Sequence, residues 1–441
     1  MRLWTLLLVG CVEQTAETAP TWEQDVAPIV AEHCGSCHTE GGVAFSLDYY
    51  DLAAPMASAM SAAVQSGAMP PWAAQETDAC APRLGWKDDL RLSDAEKATI
   101  TAWAEADAPR GDTAAAAALP DAPDLSLPDA TQEVSPRAAY TTAGTDDEFV
   151  CFVLDPELSE DAWLTGLQVV AGNSEVVHHV LVFSDPDRKS ESLADDEGKY
   201  DCFGSSNVSN ASLIGAWAPG SVPNETPEGT GMTITAGSLL VMQIHYHPAG
   251  RDAAPDLTSL QLRWADTEPE RHAVLALVGN ASSKREGLEE GPNDEERARF
   301  FIPAGVADHT EAMHFDVPEG DGPYTVYSVG THMHYIGTDM VIRVQHAAPE
   351  GDEPSDECLI QTPTWDFNWQ RGYAYDAPLD QVPQIRGGDT IWMQCTYNNT
   401  LDNPGVQQAL SDAGLDAPVD VELGEETLDE MCLGVFGIVY D

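Results

Sequence analysis

The sequence predicts a multidomain chain in which a small all-α domain precedes two all-β sandwich domains. Helix signals are concentrated in residues 21–110, whereas short β-rich runs separated by Gly, Pro, Asn and Asp occupy residues 140–441. Between them, residues 111–139 are rich in Ala, Pro and Asp without apolar periodicity, which is typical of a linker. The 441 residues are enough for roughly three domains of ordinary size.

The clearest predicted helix lies at the end of the first domain. Ser93 and Glu96 have the spacing of a capping box, and Ile100 and Trp103 recur at helical spacing after it. Pro109 then ends the pattern, because proline cannot continue a helix.

The β-rich part of the chain predicts antiparallel sandwiches. Its runs include DAWLTGLQVV, EVVHHVLVF, SLLVMQIHYH, YTVYSVGTHMH and DTIWMQCTY. Residues 140–441 are more than one ordinary sandwich domain contains. A charged, Gly-containing stretch, SSKREGLEEGPNDEERARF, lies in the second half of this region. We therefore predict two β domains, 140–260 and 261–441.

Residues 1–20 predict an export signal and a short tether. MRLWTLLLVGC has one Arg, an apolar run too short to span a bilayer, and Gly10 before Cys11. This pattern resembles a bacterial lipoprotein signal, which implies cleavage before Cys11 and a lipid anchor on it that attaches the chain to a membrane. The alternative is a truncated secretory signal. Both predict an exported protein, periplasmic or at the cell surface, in an oxidising compartment.

The charge of the chain bears on its partners. The net charge of -54 arises from 74 acidic against 20 basic residues, which argues against nucleic acid and anionic membrane surfaces as partners. We interpret the charge as a solvated acidic surface.

A short motif in the first domain predicts covalent haem. HCGSCH contains Cys34, Cys37 and His38 in the C-x-x-C-H order, in which two thiols bond to the porphyrin and the histidine ligates iron. A redox dithiol or half of a zinc site is the alternative interpretation.

The sixth iron ligand is predicted to be Met69 in SGAMPPW, where two prolines follow and fix the loop. Met56 and Met60 compete for this role, but they lie in an Ala-rich helical stretch where methionine is more often core. Residues 21–110 therefore resemble a small class I cytochrome c with one haem c, which carries electrons.

Six of the 12 histidines fall in three strand-like clusters: His178 and His179, His245 and His247, and His332 and His334. Side chains two apart on a strand share a face, so His332 and His334 can reach one ion if their segment is extended. A surface or hydrogen-bonded pair is the alternative interpretation. Adjacent His178 and His179 point to opposite faces of a regular strand, so a shared metal requires a kink or bulge there.

The order HH, QIHY, H-x-H and then DEMC (429–432) resembles the copper type II, ascorbate-dependent monooxygenases, the group of peptidylglycine α-hydroxylating and dopamine β-monooxygenase. The resemblance covers about 140–441. It implies two jelly-roll domains, each with one copper, facing across a cleft.

The resemblance also implies a role for each candidate ligand. His178, His179 and His245 fall on the electron-transfer copper, and His332, His334 and Met431 fall on the copper that activates oxygen. Imidazoles suit both oxidation states of copper, and a thioether favours Cu(I). His247 matches no ligand and remains a neighbouring or surface residue.

Disulfides are implied by the same resemblance, which pairs Cys151 with Cys202 and Cys395 with Cys432. Cys80 and Cys358 have no assigned partner and could be free or paired.

The sequence departs from the peptide-acting members at their substrate anchor. Those members carry an Arg where this chain has Gly330, and an Asn and a Tyr where it has Leu433 and Val435. A glycine-extended peptide is therefore not the expected substrate.

We predict an exported dicopper monooxygenase that hydroxylates a C–H bond of a small organic substrate with O2. The fused haem is expected to supply electrons, which come from a respiratory-chain component or from ascorbate. One alternative is a non-enzymatic copper or electron-transfer protein on the same scaffold. Another is a zinc hydrolase built on His332 and His334, although H-E-x-x-H is absent from the sequence.

Overall fold

The computed structural model describes residues 19–40, 42, 44–120, 125–143, 147–247, 253–280, 287–424, 426 and 428–441. They divide into two compact units. Unit 1 takes its residues from 1–70 and 91–123, and unit 2 from 71–90 and 124–441. The predicted export signal and its lipidation site, Cys11, lie outside the described residues, and the lipid anchor stays a prediction.

Unit 1 is a small group of short helices. They are α1 (Ala27–His33), α2 (Tyr50–Ala53), α3 (Ala57–Ser66) and α4 (Asp94–Glu105). The predicted capping box of α4 is confirmed: the Glu96 N–H donates to Ser93 Oγ, and the Ser93 N–H donates to the Glu96 carboxylate. Trp103 of α4 is fully buried and packs 5.7 Å from Trp22 between ring centroids.

Unit 2 is built almost entirely of strands, with one described α-helix. The first half contains β1 (Gln132–Val134), β2 (Glu148–Leu154), β3 (Ala162–Val170), β4 (Val177–Asp185), β5 (Lys199–Asp201), β6 (Ser212–Trp217), β7 (Asn224–Glu225), β8 (Thr230–Ile234), β9 (Leu239–Tyr246) and β10 (Ser259–Trp264). The second half contains β11 (Arg271–Asn280), β12 (Phe301–Ile302), β13 (His309–Asp316), β14 (Tyr324–His332), β15 (Gly337–Gln345), β16 (Asp356–Thr362), β17 (Gly372–Ala374), β18 (Gln384–Ile385), β19 (Thr390–Tyr397), α5 (Pro404–Ala413), β20 (Val421–Glu422) and β21 (Cys432–Tyr440).

The strands of unit 2 form two sandwiches that share one long sheet. This sheet has the order β1-β10-β3-β8-β11-β21-β14-β17, with β7 and β18 at its sides. A five-stranded sheet, β5-β2-β9-β4-β6, packs on its first half, and a four-stranded sheet, β13-β19-β15-β16, packs on its second half. The halves join where β8 and β11 pair in parallel, with Thr230 opposite Arg271.

The predicted fold class, a separate all-α cytochrome c domain followed by two jelly-roll domains, is wrong. The chain is mostly β, and the longest helix in its described part has 12 residues. Residues 71–90, which the prediction placed in the helical domain, fold into unit 2, where Trp72 and Trp86 are buried in the core. The two β halves in turn belong to one compact unit, since a continuous sheet runs through both.

Three disulfides stabilise unit 2, which confirms that the chain carries disulfide bonds. Cys151 pairs with Cys202 and Cys395 with Cys432, in the combination that the family resemblance implies. The third pairs Cys80 with Cys358 and attaches residues 71–90 to β16. Disulfides are typical of chains that fold in an oxidising compartment.

Among the residues that the structure describes, no helix is both long enough and apolar enough to span a bilayer.

Candidate metal centres

The first histidine group lies where β4 and β9 pair. His179 of β4 stands directly opposite His245 of β9, and Val177 stands opposite Tyr246. Between these two pairs β4 advances by two residues and β9 by only one. His178 is therefore an extra residue at an irregularity in the ladder. The break that a shared metal site requires is present, and it lets both neighbouring histidines face His245.

The three imidazoles of this group meet through their Nδ1 atoms. His178 Nδ1 lies 3.3 Å from His179 Nδ1 and 3.1 Å from His245 Nδ1, and the remaining edge measures 3.4 Å. The centre of such a triangle lies about 1.9 Å from each corner, close to a metal–imidazole bond length. The group therefore fits a small metal ion without rearrangement.

Burial keeps His178 and His179 in their neutral form. It lowers the pKa of His178 to about 4, helped by the neighbouring His245, and it lowers the pKa of His179 well below the usual range. Metal binding requires neutral imidazole, so both rings are ready to act as ligands near neutral pH.

Two neighbours hold the ring of His245. Phe149 stacks on it with ring centroids 4.2 Å apart, and Asp147 Oδ2 lies 3.1 Å from its Nε2. A carboxylate beside Nε2 favours a proton there and leaves the lone pair on Nδ1, inside the triangle. The other oxygen of Asp147 contacts Nδ1 of the exposed His247 at 2.7 Å, and the His247 ring lies 6.0 Å from the His178 ring between centroids.

The second histidine group lies at the end of β14 and in the turn that follows. His332 Nδ1 donates to Gln370 Oε1 at 2.6 Å, and His334 Nδ1 donates to the Asp429 carbonyl at 2.9 Å. Both acceptors are oxygen atoms without a proton, so the proton of each hydrogen bond belongs to Nδ1. Each Nε2 therefore keeps its lone pair for a metal. Burial lowers the pKa of both rings, that of His332 to about 4. Between them, Met333 is fully buried in the core.

Met431 comes directly before β21 in the chain. In the antiparallel pair of β14 and β21, His332 stands opposite Leu433 in the last pair of the ladder, and beyond it the N–H groups of His334 and Met431 both donate to Glu430 Oε2. The Met431 carbonyl accepts a hydrogen bond from the buried Tyr397 hydroxyl at 2.8 Å. The next residue, Cys432, is fixed to β19 by its disulfide to Cys395.

A buried carboxylate, Glu430, lies between the two segments of the second group. It accepts the backbone N–H groups of His334 at 2.7 Å, Ile336 at 3.0 Å and Met431 at 3.2 Å. Burial raises the pKa of Glu430 to about 8.

One aromatic ring contacts both histidine groups. Phe367, in a single 3-10 turn (Phe367–Trp369), lies 6.4 Å from His179 and 6.2 Å from His334 between ring centroids. Trp365, just before it, donates from Nε1 to the His334 carbonyl at 3.1 Å. The two groups therefore border a common aromatic segment.

The C-x-x-C-H motif forms a turn after α1 in unit 1. The N–H groups of Cys37 and His38 both donate to the Cys34 carbonyl, and neither cysteine is in a disulfide. His38 Nδ1 donates to the Phe45 carbonyl at 2.9 Å, which leaves Nε2 free of a proton and able to ligate iron. The turn therefore fits covalent haem.

Met69 lies in the loop after α3, which ends at Gly67 in the left-handed conformation. Its N–H donates to the Ala63 carbonyl. Of its competitors, Met60 is buried in the core of unit 1 and Met56 packs against that core.

Sequence reasoning missed the residues that orient the ligands. Asp147, Phe367 and Gln370 carry no spacing signal, because they reach the site from two loops, Asp147 from the one before β2 and the other two from the one between β16 and β17. Glu430 lies inside the DEMC motif, but its burial and its three N–H partners follow only from the fold.

The fold and the site together define a class: a β-sandwich protein with two imidazole-rich groups suited to copper. Residues 137–252 match the family model for the N-terminal domain of copper type II ascorbate-dependent monooxygenases. The matched segment contains His178, His179 and His245. This match supports a copper monooxygenase, and hence a copper-dependent oxidoreductase.

Similarities to solved structures are weak. PNGase F, a glycosylasparaginase from Flavobacterium meningosepticum, is 9% identical with a TM-score of 0.26, over 70% of this chain and 99% of that chain. The major capsid protein P2 of bacteriophage PM2 is 9% identical with a TM-score of 0.24, over 70% of this chain and 97% of that one. TM-scores this low assign neither fold nor function.

Proposed function

We propose that the protein is an exported monooxygenase that uses two copper ions and O2 to hydroxylate a C–H bond of a small organic substrate. His178, His179 and His245 hold one ion, and His332, His334 and Met431 hold the other. The observation that carries this proposal is the convergence of three Nδ1 atoms within 3.4 Å of one another inside the segment that matches the family.

The donor sets support copper at both places. Three imidazoles accommodate both oxidation states, and two imidazoles with one thioether favour Cu(I). Copper bound there supplies one-electron transfer and the activation of oxygen. The chain itself fixes the tautomers, through Asp147 for His245, Gln370 for His332 and the Asp429 carbonyl for His334.

The surface beside the second group supports an apolar or aromatic substrate. Gly330 and His332 share one face of β14, and their partners Val435 and Leu433 extend that face onto β21. These positions carry no charge to hold a carboxylate. Phe367 adds an aromatic ring next to His334. A substrate bound there is positioned by shape and stacking and not by an ion pair.

Electrons are proposed to come from haem bonded to Cys34 and Cys37 in unit 1, with His38 and Met69 as axial ligands. His38 Nε2 free of a proton supports this assignment. Haem held there supplies a one-electron carrier. A respiratory-chain component reduces it, with ascorbate as the alternative donor. His38→Ala is expected to stop haem-driven product formation and to spare ascorbate-driven turnover. Haem that stays reduced while product accumulates excludes this route.

Metal analysis of the purified full chain tests the copper assignment. After copper loading we expect two coppers and one haem per chain. His179→Ala and His334→Ala should each lose one copper, and His247→Ala, the matched control, should keep both. Stoichiometric zinc without copper would refute the proposal.

Product analysis then separates the enzyme from a pure electron carrier. With 18O2 and small aromatic substrates, a monooxygenase places one labelled oxygen atom in the product. A carrier consumes no oxygen in proportion to substrate.

A further inference from the structure

The ladder between β14 and β21 ends before the second group is complete. Its last pair is His332 with Leu433, so the hydrogen bonds of this ladder do not connect the turn at His334 to the segment at Met431. A ligand set drawn from two chain segments needs another connection between them, because each ligand must be held within a fraction of an ångström.

The Glu430 side chain makes that connection. It is 1% exposed. Oε2 accepts the N–H groups of His334 at 2.7 Å and of Met431 at 3.2 Å, and Oε1 accepts the N–H of Ile336 at 3.0 Å. The first and last of these bonds span 96 and 94 residues of sequence. One carboxylate therefore binds the backbone of both ligand-bearing segments.

Neither Gln nor Ala supplies the same set of acceptors at this position. A carboxylate offers two acceptor oxygens, whereas the amide of Gln offers one and turns an N–H donor toward the remaining backbone donors. In Glu430→Gln the amide NH2 group therefore faces a backbone N–H group, and two donors oppose each other. In Glu430→Ala all three N–H groups lose this acceptor.

We propose that Glu430 is the positioning residue of the second metal group, holding Met431 against the turn that carries His332 and His334 so that thioether and imidazoles face one ion. This inference rests on the proposed function, since it takes Met431 as a copper ligand. Glu430 acts through backbone groups and does not touch the metal.

Copper K-edge X-ray absorption of the full chain loaded with Cu(I) tests this role. We expect sulfur scattering in the wild type, its absence in Met431→Ala and Glu430→Ala, and a loss of at least half in Glu430→Gln. Glu311→Gln is the matched control, because Glu311 is an equally buried carboxylate of the same sandwich whose partners are His309 and the Phe301 N–H. It should keep the full sulfur signal even where its melting temperature falls.

The outcomes separate the proposals. If Glu430→Ala fails to fold, Glu430→Gln carries the test. A folded Glu430 variant with undiminished sulfur scattering would overturn the positioning role while leaving the ligand set intact. A wild-type chain without sulfur scattering would instead overturn Met431 as a ligand and this inference with it. Equal loss of sulfur in Glu311→Gln would reduce Glu430 to a general stabilising residue.

Discussion

Replacing Gln370 by leucine should weaken Cu(I) binding at the second histidine group. Gln370 Oε1 accepts the His332 Nδ1 proton at 2.6 Å, a short bond that keeps Nε2 available as the ligand atom. Leucine is similar in size but accepts no hydrogen bond, so the proton on Nδ1 loses its partner in a buried site.

The size of the effect follows from that one bond. Removing the hydrogen-bond partner of a ligating histidine typically lowers metal affinity by about 10- to 100-fold. This corresponds to about 1.4–2.8 kcal/mol of binding free energy. The cost of a buried donor without an acceptor, about 1–3 kcal/mol, is of the same order. We therefore expect a Cu(I) dissociation constant that rises by one to two powers of ten.

Competition with a chromophoric Cu(I) chelator measures this constant. The measurement is made in a His179→Ala background, so that the second group dominates binding. Gln361→Leu is the control: Gln361 is a buried amide of the same sandwich whose side chain bonds Asp339 and Thr77 and not a histidine. An affinity for Gln370→Leu within twofold of the control would refute the reasoning.

Three further outcomes are expected. Met431→Ala should abolish product formation while copper at the first group remains reducible, and near-normal turnover would contradict its role as ligand. His346 should make the folded state less stable as pH rises, because hydrogen bonds to Glu357 and Asp389 raise its pKa above the ordinary 6.5. The stability that it adds is complete below pH 6.5 and is lost as pH passes the folded value. Chemical denaturation at pH 5 and pH 9 should therefore show a smaller loss of stability in His346→Gln than in wild type, with the raised pKa of Glu430 contributing equally to both. A C-terminally glycine-extended peptide should not be hydroxylated, because Gly330 offers it no cation, and mass spectrometry of the peptide after turnover checks this.

Much of the candidate site could be predicted from sequence, because ligands carry local patterns. The H-x-H spacing predicts that His332 and His334 face the same way if the segment is extended, although β14 ends at His332 and His334 lies in the turn that follows. The adjacent pair was harder to predict as parts of one site, because the side chains of His178 and His179 would point to opposite faces of a regular strand. Only the ladder irregularity at that point reconciles the two neighbours, and it depends on how β9 pairs.

The fold class was mispredicted because helix signals depend on neighbouring residues, whereas the unit to which a segment belongs depends on residues far away in the sequence. The prolines and tryptophans between α3 and α4 read as a haem-domain loop. Their place is decided by distant partners: Trp86 stacks on Tyr375, and Cys80 bonds to Cys358, 278 residues away. No periodicity within residues 71–90 encodes those contacts.

The membership of residues 71–90 in unit 2 has a practical consequence for dividing the protein. Cutting the chain once, between 111 and 139, does not release unit 1, because its two segments remain joined through residues 71–90 and that stretch is held by a disulfide. A fragment ending near residue 110 would instead expose Trp72 and Trp86, whose partners remain in the β unit, and invite aggregation. Separate expression of unit 1 therefore calls for a short polar bridge in place of residues 71–90, with α3 rejoined to α4.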